Sequence, residues 1–458
     1  MESPFRREIT FVSAAAIVIS NMIGTGIFTT TGFLAGDLGR PGLVLAIWGA
    51  GGIVAMAGCL AYAELGVNFP RSGGEYVFLR EAWGPTWGFL SGWISFFAGF
   101  AAPVAAGALA VSEYLGHFFP SLSVEAAKQG TGWITGLRPG NGQLLALVIV
   151  VIFAIVNILG IRLAARLQTV LTATKLVVLG AFLALAFTIG RGDWHNFTLA
   201  ATRTSPHGVG TQFAVSLIFV MFAYSGWNAA TYVAEEMKDP ERTLPLALVA
   251  GTGAVVLIYL ALNVAFIYAL PLESMKGVVR VGAQTAGALF GPRGGDIFSA
   301  TMAAGILSCV SAMVIVGPRV YYAMALDGCF FRGAAQVHER WRTPVQAILY
   351  QTVASAAMIL TGTFERLIYY IGFALILFAA LATAGIFRMR RRTGWRRLAA
   401  VSWAYPLVPA LFVGASLWML GYTLFLRPTE SLLGLLTMAT GALLYRWKFR
   451  KTSAVPMP

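Results

Sequence analysis

The chain is patterned as a succession of long apolar runs separated by short polar segments rich in glycine and proline. The runs are about 20 residues long or longer, the length an α-helix needs to cross roughly 30 Å of hydrocarbon. Twelve spans are predicted, near 9–35, 41–66, 86–118, 142–160, 163–190, 211–235, 244–270, 294–325, 344–362, 365–388, 402–426 and 430–447. In lipid a backbone must satisfy its own hydrogen bonds, so runs of this kind are predicted to be helices. A membrane β-barrel would show alternating segments of ~10 residues, and the sequence has none. The third and eighth runs exceed one straight crossing, which predicts tilt or extra interfacial turns. Arg6 and Arg7 before an Ala-rich stretch look like the start of a signal peptide, but the run is too long and no mature soluble domain follows. The expectation is an all-α polytopic membrane protein forming a single transmembrane domain over 1–458.

Two runs carry a flaw at mid-span. The first contains Gly24-Thr25-Gly26, and glycine in a helix interior costs about 1 kcal/mol. Small residues also let helices pack closely, so this motif alone leaves both readings open. The sixth run contains Phe222-Ala223-Tyr224-Ser225-Gly226-Trp227-Asn228, again a small polar pair at mid-span. Spans one and six stand five apart, the relation expected of two inverted-topology repeats that each open on a discontinuous helix. The repeats would cover about 9–190 and 211–388, with two added helices at about 402–447. Unwound backbone leaves N–H and C=O groups unpaired, which lipid tolerates only where a ligand or water pairs them. Free amides at a half-helix N-terminus suit a carboxylate, and free carbonyls suit an ammonium. The pair predicts a receptor for the zwitterionic head of an amino acid. The nearest acidic residues on the sixth span, Glu235 and Glu236, come about two turns later, which predicts a substrate with a neutral side chain. Phe222 and Trp227 are expected as gate or wall, with ordinary aromatic packing the alternative.

Composition and charge then narrow the class. Hydrophobic residues make up 58% of the 458 and charged residues 11%, against about 25% charged in soluble domains. The chain has too little polar surface to clothe a water-soluble globule. Twelve spans put both termini on one side. Lys and Arg on that side, among them Arg6, Arg7, the arginines between Arg388 and Arg397, and Arg446, Lys448, Arg450 and Lys451, outnumber those opposite, such as Lys128, Arg138 and Arg427, by more than two to one. By the positive-inside rule both termini are cytoplasmic. The net charge of +14 therefore sits beside anionic lipid, and no basic domain exists to bind nucleic acid.

Cys59 and Cys309 fall in predicted spans, and Cys329 falls near a span end. His117, His195, His207 and His338 are scattered over loops and span ends. No metal-ligand spacing is present, and no nucleophile–base pair or phosphate cradle is visible. Neither a metal, a cofactor nor an enzymatic activity is expected. Lys175 stands apart. It lies about 14 Å deeper along its helix than Arg166, near the bilayer midplane, where a charge is costly and marks function. Its ammonium can replace a bound cation, or carry a proton if desolvation lowers its affinity for one.

These residues resemble a known family, the amino acid–polyamine–organocation transporters, and within it the L-type amino acid transporter branch. Met22-Ile23-Gly24-Thr25-Gly26-Ile27-Phe28 is close to the family's IGSGIF, with Thr25 in the serine position. Phe69 to Tyr76 matches PxSGGxY, Phe222 to Asn228 resembles FAYGGWN with Ser225 for glycine, Glu235 to Arg242 follows EExxNPxRxxP, and Arg319 to Gly328 resembles RxxxAMARDG. The likeness runs over nearly the whole chain. It implies a five-plus-five inverted-repeat (LeuT-type) fold with helices 1 and 6 unwound, and alternating access with substrate between spans 1, 3, 6, 8 and 10. It implies that Ile23, Gly24, Thr25 and Gly26 offer amides to the carboxylate. Phe222, Ala223 and Ser225 would offer carbonyls to the amine, with Phe222 doubling as outer gate and Asn228 holding the unwound segment. Tyr259, Asn263, Ser308 and Ser311 look like supporting positions, and Lys175 looks like the fifth-span lysine that stands in for sodium. Residues 119–141 hold no cysteine, so no disulfide-linked heavy chain is expected. Ser225 in place of glycine is expected to favour small substrates such as alanine, serine or threonine. The expectation is a sodium-independent exchanger of neutral amino acids in a plasma membrane, of the bacterial inner-membrane kind. A proton-coupled symporter is the alternative, and a non-transporting amino acid sensor the alternative of another class.

Overall fold

The computed structural model describes residues 5–116, 118–123, 140–278, 280–361, 364–426 and 428–449. His117, Lys128, Arg138, Arg427, Arg450 and Lys451, named above, lie outside the described residues, as does the end of the ninth predicted span at 362. The described chain is helical, with no β-strand among the described residues, only an isolated parallel bridge between Ile9 and Met237. Its helices are α1 (Phe11–Met22), α2 (Gly26–Leu38), α3 (Pro41–Asn68), α4 (Glu75–Trp83), α5 (Pro85–Ile94), α6 (Ala102–Gly116), α7 (Asn141–Ile158), α8 (Ile161–Thr188) and α9 (Val209–Tyr224). They continue with α10 (Pro240–Ala269), α11 (Leu272–Met275), α12 (Val281–Phe290), α13 (Pro292–Leu326), α14 (Val345–Thr361), α15 (Phe364–Met389), α16 (Ala399–Ser402), α17 (Leu407–Leu426) and α18 (Pro428–Leu444). Among the described residues nine helical stretches are long and apolar enough to cross a membrane, and Val345–Thr361 and Ala374–Met389 are shorter apolar helices.

Local chemistry sets the ends. Pro41, Pro85, Pro240 and Pro292 each sit at the start of a helix, where the missing N–H costs nothing and φ is already helical. Thr10 caps α1 by accepting the Ser13 amide at 3.4 Å, and Gly39 closes α2 with φ of 68°, a conformation glycine adopts freely.

The helices enclose one core that runs through nearly the whole bundle. α10 packs on α3 and α1, and α13 packs on α6, α8 and α12. The outward faces stay apolar: Val177, Leu257 and Val353 are each more than two-thirds exposed. Apolar side chains exposed this broadly around a bundle belong against lipid. At the end that holds the N-terminal segment, buried ion pairs tie the helices together, Arg319 to Glu236 at 2.7 Å and Arg390 to Glu64 at 2.6 Å. The third predicted span, which the sequence left as one long run, contains a π-helical stretch at Ser95–Ala101 between α5 and α6. Stretches of this kind widen a helix locally and recur at functional sites.

Candidate functional site

The first span stops being helical where the glycines stand. α1 ends at Met22, Ile23 leaves the helix with ψ of 84°, and α2 begins at Gly26. The sixth span breaks likewise. α9 ends at Tyr224, Ser225 turns out with ψ of 152°, and Gly226 takes φ of 95°, where a side chain would be strained. The chain resumes as a 3-10 helix, Ala229–Glu236, so the sixth span is not α-helical to its end as the run of hydrophobicity predicts. The 3-10 form is the tighter coil that short pieces adopt next to a break.

The two breaks touch. A Cβ on Gly26 would lie 2.7 Å from the Ala223 Cα, and a Cβ on Gly226 would lie 2.7 Å from the Asn21 Cβ. Each glycine is thus the concession that lets one broken segment lie against the other. The Tyr259 hydroxyl of α10 holds the junction, reaching the carbonyls of both Met22, at 2.6 Å, and Ala223, at 3.0 Å. Asn263 supports it one turn away, donating to the Tyr259 carbonyl at 2.8 Å and accepting from the Thr31 hydroxyl of α2 at 2.6 Å.

A cavity of about 150 Å³ opens beside the breaks. That is room for on the order of ten water positions, the scale of a small solute and not of a peptide or a lipid. Gly24, Thr25, Gly26, Phe222, Ala223, Ser225 and Asn228 line it. Ile23 does not: it is buried, its N–H donates to Ile19 and its carbonyl faces Lys175. The Gly24 amide is also engaged, by the Met22 carbonyl at 2.9 Å. Of the four amides named from the sequence, Thr25 and Gly26 are the two that donate to no backbone acceptor in the described turns. Phe222 is half-buried on the wall. Trp227 also lines the cavity, but its ring is wedged edge-on between Tyr62 and Phe412.

Lys175 is buried between α8, α1 and α13, and its ammonium donates to the Ile23 carbonyl at 2.6 Å. That carbonyl belongs to the C-cap residue just past α1, at the negative end of a helix dipole, so a fixed cation sits where the broken helix concentrates negative potential. Ser308 stands nearby, with Ser20 Oγ donating to Ser308 Oγ at 3.3 Å and Thr172 2.5 Å from Ser20. Ser311 is buried on α13, and neither serine lines the cavity.

Sequence reasoning missed three contributors. The π-helical stretch presents Ser95, Gly99 and Phe100; α17, the eleventh predicted span, presents Phe412, Ser416 and Met419; and Cys309 of α13 faces Gly24. It also missed a carboxylate. Glu235 and Glu236, the acidic residues that the sequence puts nearest the second break, do not line the cavity, whereas Glu75 reaches it from α4, between the second and third predicted spans. Glu75 opens α4 about fifty positions after Gly26 and about 150 before Ser225, which gives no sequence signal of that proximity; only the fold supplies it. No cluster of three or more His, Cys, Asp or Glu side chains is placed to hold a metal among the described residues.

A multi-pass helical bundle with two facing helix breaks around a small internal cavity defines an integral membrane carrier of small solutes. The sequence model of the amino acid permease family matches residues 9–443, and the chain belongs to that family. It is similar to the serine/threonine exchanger SteT of Bacillus subtilis, 30% identical over 456 residues that cover 99% of each chain. It is also similar to the human large neutral amino acids transporter small subunit 2, 30% identical over 96% of this chain and 80% of that one. The human b(0,+)-type amino acid transporter 1 is 27% identical over 96% of this chain and 87% of its own.

Proposed function

We propose that this permease is a sodium-independent exchanger of small neutral amino acids that works by alternating access. The observation that carries the reading is the pair of helix breaks in contact beside one cavity, with two amides on one that donate to no backbone acceptor in the described turns and three carbonyls on the other. The Thr25 and Gly26 amides, at the N-terminus of α2, receive the substrate carboxylate. The carbonyls of Phe222, Ala223 and Ser225 receive its ammonium; Phe222 and Ala223 already accept one bond each and use their second lone pair. Asn228 braces the segment through Tyr232, to whose hydroxyl its amide donates at 3.2 Å, and Phe222 closes the outer side. Lys175 supplies by covalent attachment the positive charge that a bound sodium ion would bring to the end of α1, which is the reason for sodium independence. Twelve spans arranged as two inverted repeats with two added helices accommodate these elements, with both termini cytoplasmic in a plasma membrane.

The relatives support exchange, since one of them is named as a serine/threonine exchanger, and Ser225 on the pocket wall supports a small side chain. No disulfide-linked heavy chain is proposed, because residues 119–141 contain no cysteine. Counterflow in proteoliposomes tests the reading. Labelled alanine, serine or threonine should enter only when unlabelled substrate is inside, with or without sodium. Uptake into empty vesicles driven by a pH gradient would replace exchange with proton symport.

A further inference from the structure

Glu75 is the one carboxylate among the described residues that line the cavity, which no lysine or arginine lines. It is 5% exposed. Its Oε2 accepts from the Tyr62 hydroxyl of α3 at 2.6 Å, and its Oε1 accepts from the Ser91 hydroxyl of α5 at 3.4 Å. It forms no ion pair among the described residues, while the arginines of the surrounding helices are each committed elsewhere. Arg80 holds Asp327, Arg319 holds Glu236 and Arg390 holds Glu64. A buried charge without a counter-ion costs several kcal/mol, and two hydroxyls offset only part of that. Such a group is stable as an anion when a cation arrives, and this cavity is built for a ligand that carries one.

We propose that Glu75, with Tyr62 and Ser91, is an ammonium-binding subsite at the cytoplasmic end of the cavity that receives the substrate's amino group as it enters from or leaves to that side. The inference rests on the transporter reading and on the orientation given with it. The carbonyls at the Ser225-Gly226 break offer partial charges, so an ammonium can be handed between them and Glu75 without entering bare hydrocarbon. The subsite serves the amino group that every substrate carries and leaves the side-chain preference untouched.

Protonation supplies the readout. Burial pushes the Glu75 carboxyl up to about 7, against the hydrogen bonds from Tyr62 and Ser91, which act to lower it. Its titratable surroundings are the phenols of Tyr62 on α3 and Tyr232 on the 3-10 segment. On α4 itself Tyr76 and Arg80 are engaged by Asp327 at the end of α13. Glu236 is held by Arg319, and Glu235 accepts the Ser72 amide at 3.2 Å. From the turn after α15 comes Arg390, paired with Glu64. Among these groups Glu75 is the one carboxylate that lines the cavity, so a pH dependence of ammonium binding there is assigned to it.

The test uses inside-out vesicles carrying the full chain, with alanine as probe and the opposite face held at a constant pH. In the wild type the KM on the cytoplasmic face should rise about tenfold from pH 8 to pH 6, because only the ionised form binds ammonium. Glu75→Gln should show a raised cytoplasmic KM that no longer varies with pH, and Glu75→Asp should keep a pH-dependent KM. A wild-type cytoplasmic KM flat between pH 6 and pH 8, or Glu75→Gln with the wild-type KM and slope, overturns the subsite while leaving the exchanger intact. If Glu75→Gln does not fold, the wild-type profile decides alone. Absence of alanine exchange in the wild type at every pH overturns the transport reading and this subsite with it.

Discussion

Tyr259→Phe removes one oxygen atom from the junction of the two broken helices and little else. The ring is fully buried and packs against Trp48 and Tyr224 at centroid distances of 5.3 and 5.0 Å, and phenylalanine keeps those contacts. What is lost is the hydroxyl proton shared between the Met22 and Ala223 carbonyls. The two losses are unequal. The Met22 carbonyl also accepts the Gly24 amide at 2.9 Å, so it stays satisfied, whereas the Ala223 carbonyl has no second donor in the described turns. One orphaned buried carbonyl costs about 1–3 kcal/mol, and about 2 kcal/mol is the expected total. That energy now holds the two unwound segments in register, so its loss falls on the binding-competent state: alanine affinity should weaken about 10- to 30-fold, at about 1.4 kcal/mol per factor of ten. Calorimetric titration of the purified protein with alanine measures this directly. Tyr224→Phe is the control. It removes a hydroxyl that donates at 3.1 Å to the Trp48 carbonyl, an oxygen inside a continuous helix, and should shift affinity less than threefold. An unchanged alanine affinity in Tyr259→Phe, or equal losses in the two variants, would refute the argument that this hydroxyl couples the breaks.

The remaining predictions test other parts of the same construction. Lys175→Ala removes the ammonium from the Ile23 carbonyl and should abolish or strongly slow counterflow while the protein still elutes as a folded species; near-normal uptake would end its role as a resident cation. Gly26→Ala sets a methyl 2.7 Å from the Ala223 Cα and should destabilise the fold by about 1–3 kcal/mol, as overpacking a core does, seen as a lower melting temperature, and should weaken binding. Gly24→Ala meets only the Cys309 sulfur at 3.5 Å, so it should melt like the wild type yet bind alanine more weakly; matching losses of stability in both variants would reduce the motif to packing. Arg319→Met leaves Glu236 buried and unpaired and should cost about 3–5 kcal/mol, seen as loss of folded protein on size exclusion, with part recovered when Glu236→Leu is added; a loss under ~1 kcal/mol would mean the pair is reached by water.

Much of the bundle was legible because the lipid constraint is simple. A run of apolar residues long enough to cross hydrocarbon has one available conformation, and the runs named from the sequence coincide with described helices even where their ends shift by several residues. Lys175 could be placed at depth by counting residues from Arg166. Its partner could not, since the Ile23 carbonyl is freed only by the break itself. Hydropathy also cannot see a change of helix type. Ser95 to Ala101 is as apolar as its neighbours, yet it is wound as a π-helix, and the stretch after Asn228 reads as a continued span but coils as a 3-10 helix. Both changes arise from packing against other elements, which propensity does not encode.

The reading of Gly24-Thr25-Gly26 shows the sharper limit. The sequence marks where a helix is weak, and the weak points were found; it does not say which of the freed groups stay free. In the structure the Ile23 and Gly24 amides turn inward to Ile19 and Met22, so the carboxylate proposed above is left with Thr25 and Gly26. Gly26 and Gly226 serve a second purpose that the unwinding argument does not contain, because each lies where the opposite backbone approaches too closely for any side chain. A substitution at Gly26 therefore tests the contact between the breaks as well as the amides, and only Gly24, with space before it, isolates the cavity. Glu75 follows the same logic in reverse. Nothing about a glutamate after Ser72-Gly73-Gly74 marks it as lining the cavity beside the breaks, and the expectation of a neutral side chain rests on the charges near them in sequence. Electrostatics acts through distance, and in a bundle of crossing helices distance along the chain is a poor guide to it.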